Sequence, residues 1–192
     1  MVLSPHADVV KDTGKLYAGR ASSTACVDLF ITLLSMGMDG YKRLLIERQQ
    51  LVPKMREHLI RIAKKHGERL LDCRLNSISF GITLGALTSE DESNRRTESK
   101  RDKPANLEVS SFGAMLYSRC VSGTRVVPRM ERKTICGINF EGFGSSTDDY
   151  PFPYMTAACA IGLSENELEQ FATRLDVVFQ TYKKKQRKEP QV

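Results

Sequence analysis

The sequence predicts an α+β domain, a small antiparallel sheet backed by helices on one face and entered through a long leading helix. Three observations carry this. From Asp39 to His66, apolar residues recur at three- and four-residue intervals (Tyr41, Leu44, Leu45, Val52, Met55, Leu59, Ile62, Ala63), as on one face of a helix. Leu75 to Leu84 alternates apolar with small polar residues, as a half-buried strand does. Ser164 and Glu167 have capping-box spacing ahead of Leu168, Phe171, Ala172, Leu175, Val178, Phe179 and Tyr182, placing a closing helix from Glu165 to about Lys184.

The remaining elements follow in chain order. Pro5 stands where a short helix can begin, after what reads as the end of a strand. A turn through Leu16-Tyr17-Ala18-Gly19-Arg20 leads into a helix from about Thr24 to Met36. That helix is apolar on much of its circumference, as a buried helix is, and Gly37 ends it. Asp39 can cap the long helix, Pro53 predicts a kink within it, and Gly67 stops it. Residues 88–106 mix acids and bases in near balance without apolar anchors, which predicts a disordered insertion. Helical spacing resumes over Leu107 to Tyr117. Ile135 to Phe140 is expected to pair with the strand near Ile78 to Leu84, residues 142–154 to form an ordered loop, and Met155 to Ile161 a small-residue helix. Residues 183–192 read as a frayed basic tail.

The chain has 192 residues and a net charge of +6, enough length for one domain with a core or for a domain and an appendage. Setting aside the run Lys183 to Glu189 leaves a body of only about +2, so the overall charge is weak support for nucleic-acid binding. The charge is local instead: Arg119, Arg125, Arg129, Arg132 and Lys133 face only Glu131. Cys26, Cys73, Cys120, Cys136 and Cys159 are widely spaced, with no Cys-x-x-Cys pair and no histidine at a ligand spacing. They read as reduced, mostly buried thiols of a cytoplasmic protein, with neither disulfide nor metal. No window approaches a membrane span, and Met1 to Asp8 lacks the pattern of a secretion signal.

Gly19 and Arg20 sit just ahead of a helix, where backbone amides and a guanidinium can converge on a phosphate or carboxylate. Arg20 could equally be a surface arginine or a cap. The wider run decides: Gly14-Lys15-Leu16-Tyr17-Ala18-Gly19-Arg20-Ala21-Ser22, then Val27 to Gly37, then Gly40-Tyr41-Lys42. Arg119-Cys120-Val121-Ser122-Gly123-Thr124-Arg125-Val126-Val127-Pro128 and Gly142-Phe143-Gly144-Ser145-Ser146-Thr147-Asp148-Asp149-Tyr150-Pro151 follow in order. Together these resemble the O-phosphoseryl-tRNA(Sec):selenocysteinyl-tRNA synthases.

That resemblance implies the α/β fold of type I pyridoxal-phosphate transferases, with this chain as its C-terminal portion. Residues 1–38 would be the trailing edge of the large cofactor domain and residues 39–192 the small domain. It implies conversion of O-phosphoseryl-tRNA(Sec) to selenocysteinyl-tRNA(Sec), with selenophosphate as selenium donor, in a cytoplasmic homo-oligomer, a tetramer in the family. Arg20 would bind the substrate phosphate, with Tyr17 and Gly19 shaping that wall. Arg119 would read the unpaired base at the tRNA acceptor end, unless it pairs with an acid such as Glu108 or Asp148. Arg125 and Arg129 would support as phosphate-backbone contacts. No lysine here matches the family's cofactor-anchoring position, so the chain alone is expected neither to join pyridoxal phosphate nor to turn over. Two other readings stay open: another type I pyridoxal-phosphate enzyme acting on a phosphorylated small molecule, and a non-catalytic RNA-binding or scaffolding module.

Overall fold

A computed structural model describes residues 4–16, 22–87, 104–129, 132–145 and 150–188. The chain divides into two compact units, Met1–Arg43 and Leu44–Val192.

In the first unit, α1 (Ala7–Leu16) follows Pro5, as the sequence predicts. α2 (Thr24–Lys65) contains a non-helical residue at Gly37, with φ 65° and ψ 176°, so its first segment ends where expected. Pro53 lies inside α2, and the dihedral break is at Gly37 rather than at the proline. The expectation of a buried first segment fails. Val27, Leu29, Phe30, Ile31, Leu33 and Leu34 are all exposed, and the buried residues of α2 begin at Leu51. The apolar arc is present, and among the described residues it is left exposed.

The second unit holds the core. Leu51, Met55, Leu59, Ile62 and Ala63 of α2 pack with Phe80 and Ile82 of β1 (Ser79–Thr83) and with Leu84 and Leu87 beyond it. Val109, Phe112 and Leu116 of α3 (Pro104–Tyr117) join them, as do Leu168, Ala172, Leu175, Val178, Phe179 and Tyr182 of α4 (Glu165–Lys188). The end of α2 is a Schellman turn: Glu68 N–H donates to Ala63 O at 2.8 Å and Gly67 N–H to Lys64 O at 3.2 Å. The capping box also forms, with Ser164 N–H donating to Glu167 Oε2 at 2.9 Å and Glu167 N–H to Ser164 Oγ at 3.3 Å. The Ser164 hydroxyl and amide hold the Glu167 carboxyl below its ordinary pKa. α4 runs one turn beyond its expected end, through Lys185, Gln186, Arg187 and Lys188, because straight-chain residues favour helix and cations suit its C-terminus.

The sheet differs from the sequence expectation. Its order is β1-β5-β2, all antiparallel, with β2 (Arg125–Val127) and β5 (Tyr154–Ala158). β5, expected as a helix, is the central strand: Met155 pairs with both Ile82 and Val126, and Met155 and Ala157 are buried. A slot between two strands overrides the local preference of small residues. The strand expected from Ile135 to Phe140 does not pair with β1. It is a separate hairpin of β3 (Lys133–Ile135) and β4 (Ile138–Phe140), turning at Cys136 (φ 51°) and Gly137 (φ 80°). Two successive positive φ values make the tight turn that joins twisted strands, and Gly137 adopts its half without steric cost.

All five cysteines are free, but only Cys159 is buried. Cys120 and Cys136 occupy positive-φ turn positions, at 57° and 51°, which keeps them at the surface.

Candidate functional site

Tyr17, Gly19 and Arg20 lie outside the described residues, as do residues 88–103 of the expected insertion. Arg20 falls in the Met1–Arg43 unit, whereas Arg119, Arg125 and Arg129 fall in the other. The three latter arginines sit on the segment that leaves α3 and becomes β2.

α3 ends in a second Schellman turn: Val121 N–H donates to Leu116 O at 3.0 Å, Cys120 N–H to Tyr117 O at 3.0 Å, and Cys120 takes the left-handed position. Arg119 therefore caps the C-terminal end of α3, two residues past Tyr117. Its Nη1 donates to Met115 O at 3.3 Å, satisfying one of the orphan carbonyls, and it forms no ion pair among the described residues. A guanidinium has five N–H donors, so most of its capacity is uncommitted. Arg174 Nη1 braces the same turn from α4, donating to Cys120 O at 3.2 Å.

Arg125 opens β2 on an exposed edge. Its side chain runs along the 141–145 turn, so close that a Cβ on Gly144 would lie 3.2 Å from its Nη2. Gly144 has φ 91°, so it supplies both the room and the backbone angle. Arg129 is half-buried, and its Nε has no hydrogen-bond partner among the described residues. Next to it the Tyr150 hydroxyl donates to Pro128 O, and Tyr150 stacks edge-on against Tyr154 at 5.5 Å. Arg132 Nε donates to Glu141 Oε2 at 2.7 Å, and Lys133 Nζ stands 4.6 Å from the centre of the Phe143 ring.

A polar cluster that the sequence did not reveal joins the end of α2 to α4. Asp176 accepts from Lys65 Nζ at 2.7 Å and from Gln180 Nε2 at 2.8 Å, and it bonds His66 Nε2 at 2.7 Å. Burial pushes the Asp176 carboxyl up, but hydrogen bonds from Lys65 and His66 outweigh this and leave it below its ordinary pKa. Lys183 Nζ donates to His66 O at 2.6 Å. Glu68 is buried and accepts from Thr83 Oγ1 at 2.5 Å and Ala86 N–H at 2.7 Å. Desolvation nonetheless raises its pKa. Each polar group here is satisfied by the others, so the cluster locks two helices and the strand together rather than offering a binding site.

Among the described residues no group of histidine, cysteine and acidic side chains could hold a metal ion, and no helix is long and apolar enough to cross a membrane.

This arrangement, a helix-backed antiparallel sheet with arginines gathered where α3 meets β2, has the fold of a solved archaeal O-phosphoseryl-tRNA(Sec) selenium transferase. The likeness covers 91% of this chain and 33% of that one, with a TM-score of 0.60 at 23% identity. A family model described as O-phosphoseryl-tRNA(Sec) selenium transferase, SepSecS, matches residues 1–180, and the chain belongs to that family. The Dictyostelium discoideum relative bearing that name is 35% identical over 182 residues, covering 93% of this chain and 38% of the relative. The Caenorhabditis elegans relative is 32% identical over 167 residues, covering 86% of this chain and 31% of its own length. The chain thus spans well under half the length of these relatives.

Proposed function

We propose that this chain supplies part of a transferase that converts O-phosphoseryl-tRNA(Sec) to selenocysteinyl-tRNA(Sec), in the cytoplasm, with selenophosphate as selenium donor and as a homo-oligomer. The observation that carries the reading is the family match across residues 1–180. Within it Arg20 binds the substrate phosphate, beside Tyr17 and Gly19, and Arg119 contacts the tRNA acceptor end. The structure supports the second role: a helix-terminal guanidinium without an ion pair among the described residues keeps donors free for a base edge.

On this reading the chain does not hold pyridoxal phosphate by itself. Lys54, Lys65 and Lys183 are committed to Glu165, Asp176 and the His66 carbonyl, and no lysine lines the groove beside Arg125. On the family resemblance, no lysine of this chain stands at the cofactor-anchoring position, and the reading assigns that lysine to another part of the family protein.

One experiment tests both points. The chain, mixed with pyridoxal phosphate and reduced with borohydride, is expected to give no site-specific lysine adduct by mass spectrometry. Replacing the matching segment of the Dictyostelium discoideum relative by this chain is expected to restore conversion. In that chimera Arg20→Ala should lower kcat/KM roughly 10- to 100-fold, as loss of hydrogen bonds to a charged group does. Arg20→Lys should not rescue fully, because an ammonium lacks the two-pronged geometry. A stoichiometric adduct, or full activity in Arg20→Ala, would contradict the reading.

A further inference from the structure

We propose that the groove between the start of β2 and the 141–145 turn holds an unpaired nucleotide of a single-stranded RNA end. This rests on the tRNA reading above and extends it to a second contact.

The groove has a volume of about 390 Å³ and is lined by Arg125, Phe140, Glu141, Phe143, Ser145 and the glycines at 142 and 144. That size lies within the about 300–1,000 Å³ of small-ligand sites. Two of its walls are aromatic: the Phe140 and Phe143 rings stand edge to face at 6.0 Å, tilted by 75°. Phe140 is 41% exposed although it is a large apolar residue at the end of a strand. Unstacked bases bind such rings, whereas bases within a duplex cannot reach them.

Charge points the same way. Lys133 stands over the Phe143 ring, and Arg125 has no hydrogen bond or ion pair among the described residues. The acid of the groove, Glu141, is bound to Arg132. Cations beside exposed rings match a base and its phosphate. The groove opens on β2, the strand that follows Arg119 by a short turn.

The test measures binding by the full chain of selenocysteine tRNA, intact and trimmed of its unpaired 3′ nucleotides, at two salt concentrations. Phe143→Ala should weaken intact tRNA about 10-fold and leave the trimmed form unchanged, with Phe143→Tyr close to wild type. Arg125→Ala should weaken the intact form and reduce its salt dependence. If Arg119→Ala abolishes tRNA preference while Phe143→Ala binds intact tRNA like wild type, the groove assignment falls and the tRNA reading stands. If neither RNA binds, both fall. Unchanged RNA affinity with an altered sedimentation coefficient in Phe143→Ala would assign the groove to contact between protein chains, and overturn the proposal.

Discussion

Phe179→Ala is expected to lower the unfolding free energy by about 3–5 kcal/mol, the cost of emptying a large aromatic site in a packed core. Phe179 is fully buried on α4. Its ring stacks on His66 at 4.7 Å and 12°, and meets Phe112 of α3 at 4.8 Å and 59°. It therefore fills the junction of three helices, and no single neighbour can collapse into the space. Urea unfolding followed by circular dichroism checks this. Loss of His66 stacking also loosens the hydrogen bond to Asp176, so Phe179→Leu, which keeps part of the volume but not the flat face, should lie between wild type and the alanine variant. A cost below about 1 kcal/mol for the alanine variant would mean that the α2–α3–α4 junction is not the stabilising centre of the unit.

The second large effect is at Glu68. Its carboxylate is the acceptor for the Thr83 hydroxyl and the Ala86 amide, so Glu68→Ala leaves both donors without it, at about 1–3 kcal/mol each. Glu68→Gln keeps an acceptor and removes the charge. The sign of its pH effect follows from the raised pKa of the folded state. The folded protein binds this proton more tightly than the unfolded chain does. Its contribution is thus fully present below the ordinary glutamate pKa and is lost as pH rises through the raised value. Wild type should gain stability relative to Glu68→Gln on acidification across that window. Asp176, with a lowered pKa, acts in the opposite sense: its contribution is present above the ordinary aspartate value and lost as pH falls through the lowered one. Denaturant midpoints of wild type, Glu68→Gln and Asp176→Asn across acidic pH separate the two. An unchanged gap between wild type and Glu68→Gln would show that the carboxyl is not desolvated.

What could be read from the sequence is what local chemistry fixes. The α2 periodicity, the Gly67 stop and the Ser164–Glu167 capping box each depend on residues within a few positions of one another, and each forms as expected. β5 is not legible locally because Met155, Ala157 and Ala158 carry no strand preference, and its place is set by partners on β1 and β2. The β3–β4 hairpin had a cue in the single glycine at 137 between two isoleucines, which marks a two-residue turn. The polar cluster had none, since His66 meets Asp176 across 110 residues of sequence. The exposed helix after Thr24 shows the converse: its apolar pattern announces burial, yet Val27, Leu29, Phe30, Leu33 and Leu34 are exposed. For the candidate site, the motif around Arg119 was legible as a resemblance. Its position at a helix end, and the aromatic groove beside Arg125, needed the fold.

The central claim is that this chain carries acceptor-end recognition through Arg119. The most direct measurement is its binding to selenocysteine tRNA and to serine tRNA at two salt concentrations, with Arg119→Ala alongside. The account predicts a preference for selenocysteine tRNA that the substitution removes, a loss of about 1–3 kcal/mol as for a bidentate base contact. Equal, salt-sensitive binding of both tRNAs, untouched by Arg119→Ala, would contradict it and leave selectivity to the rest of the family protein.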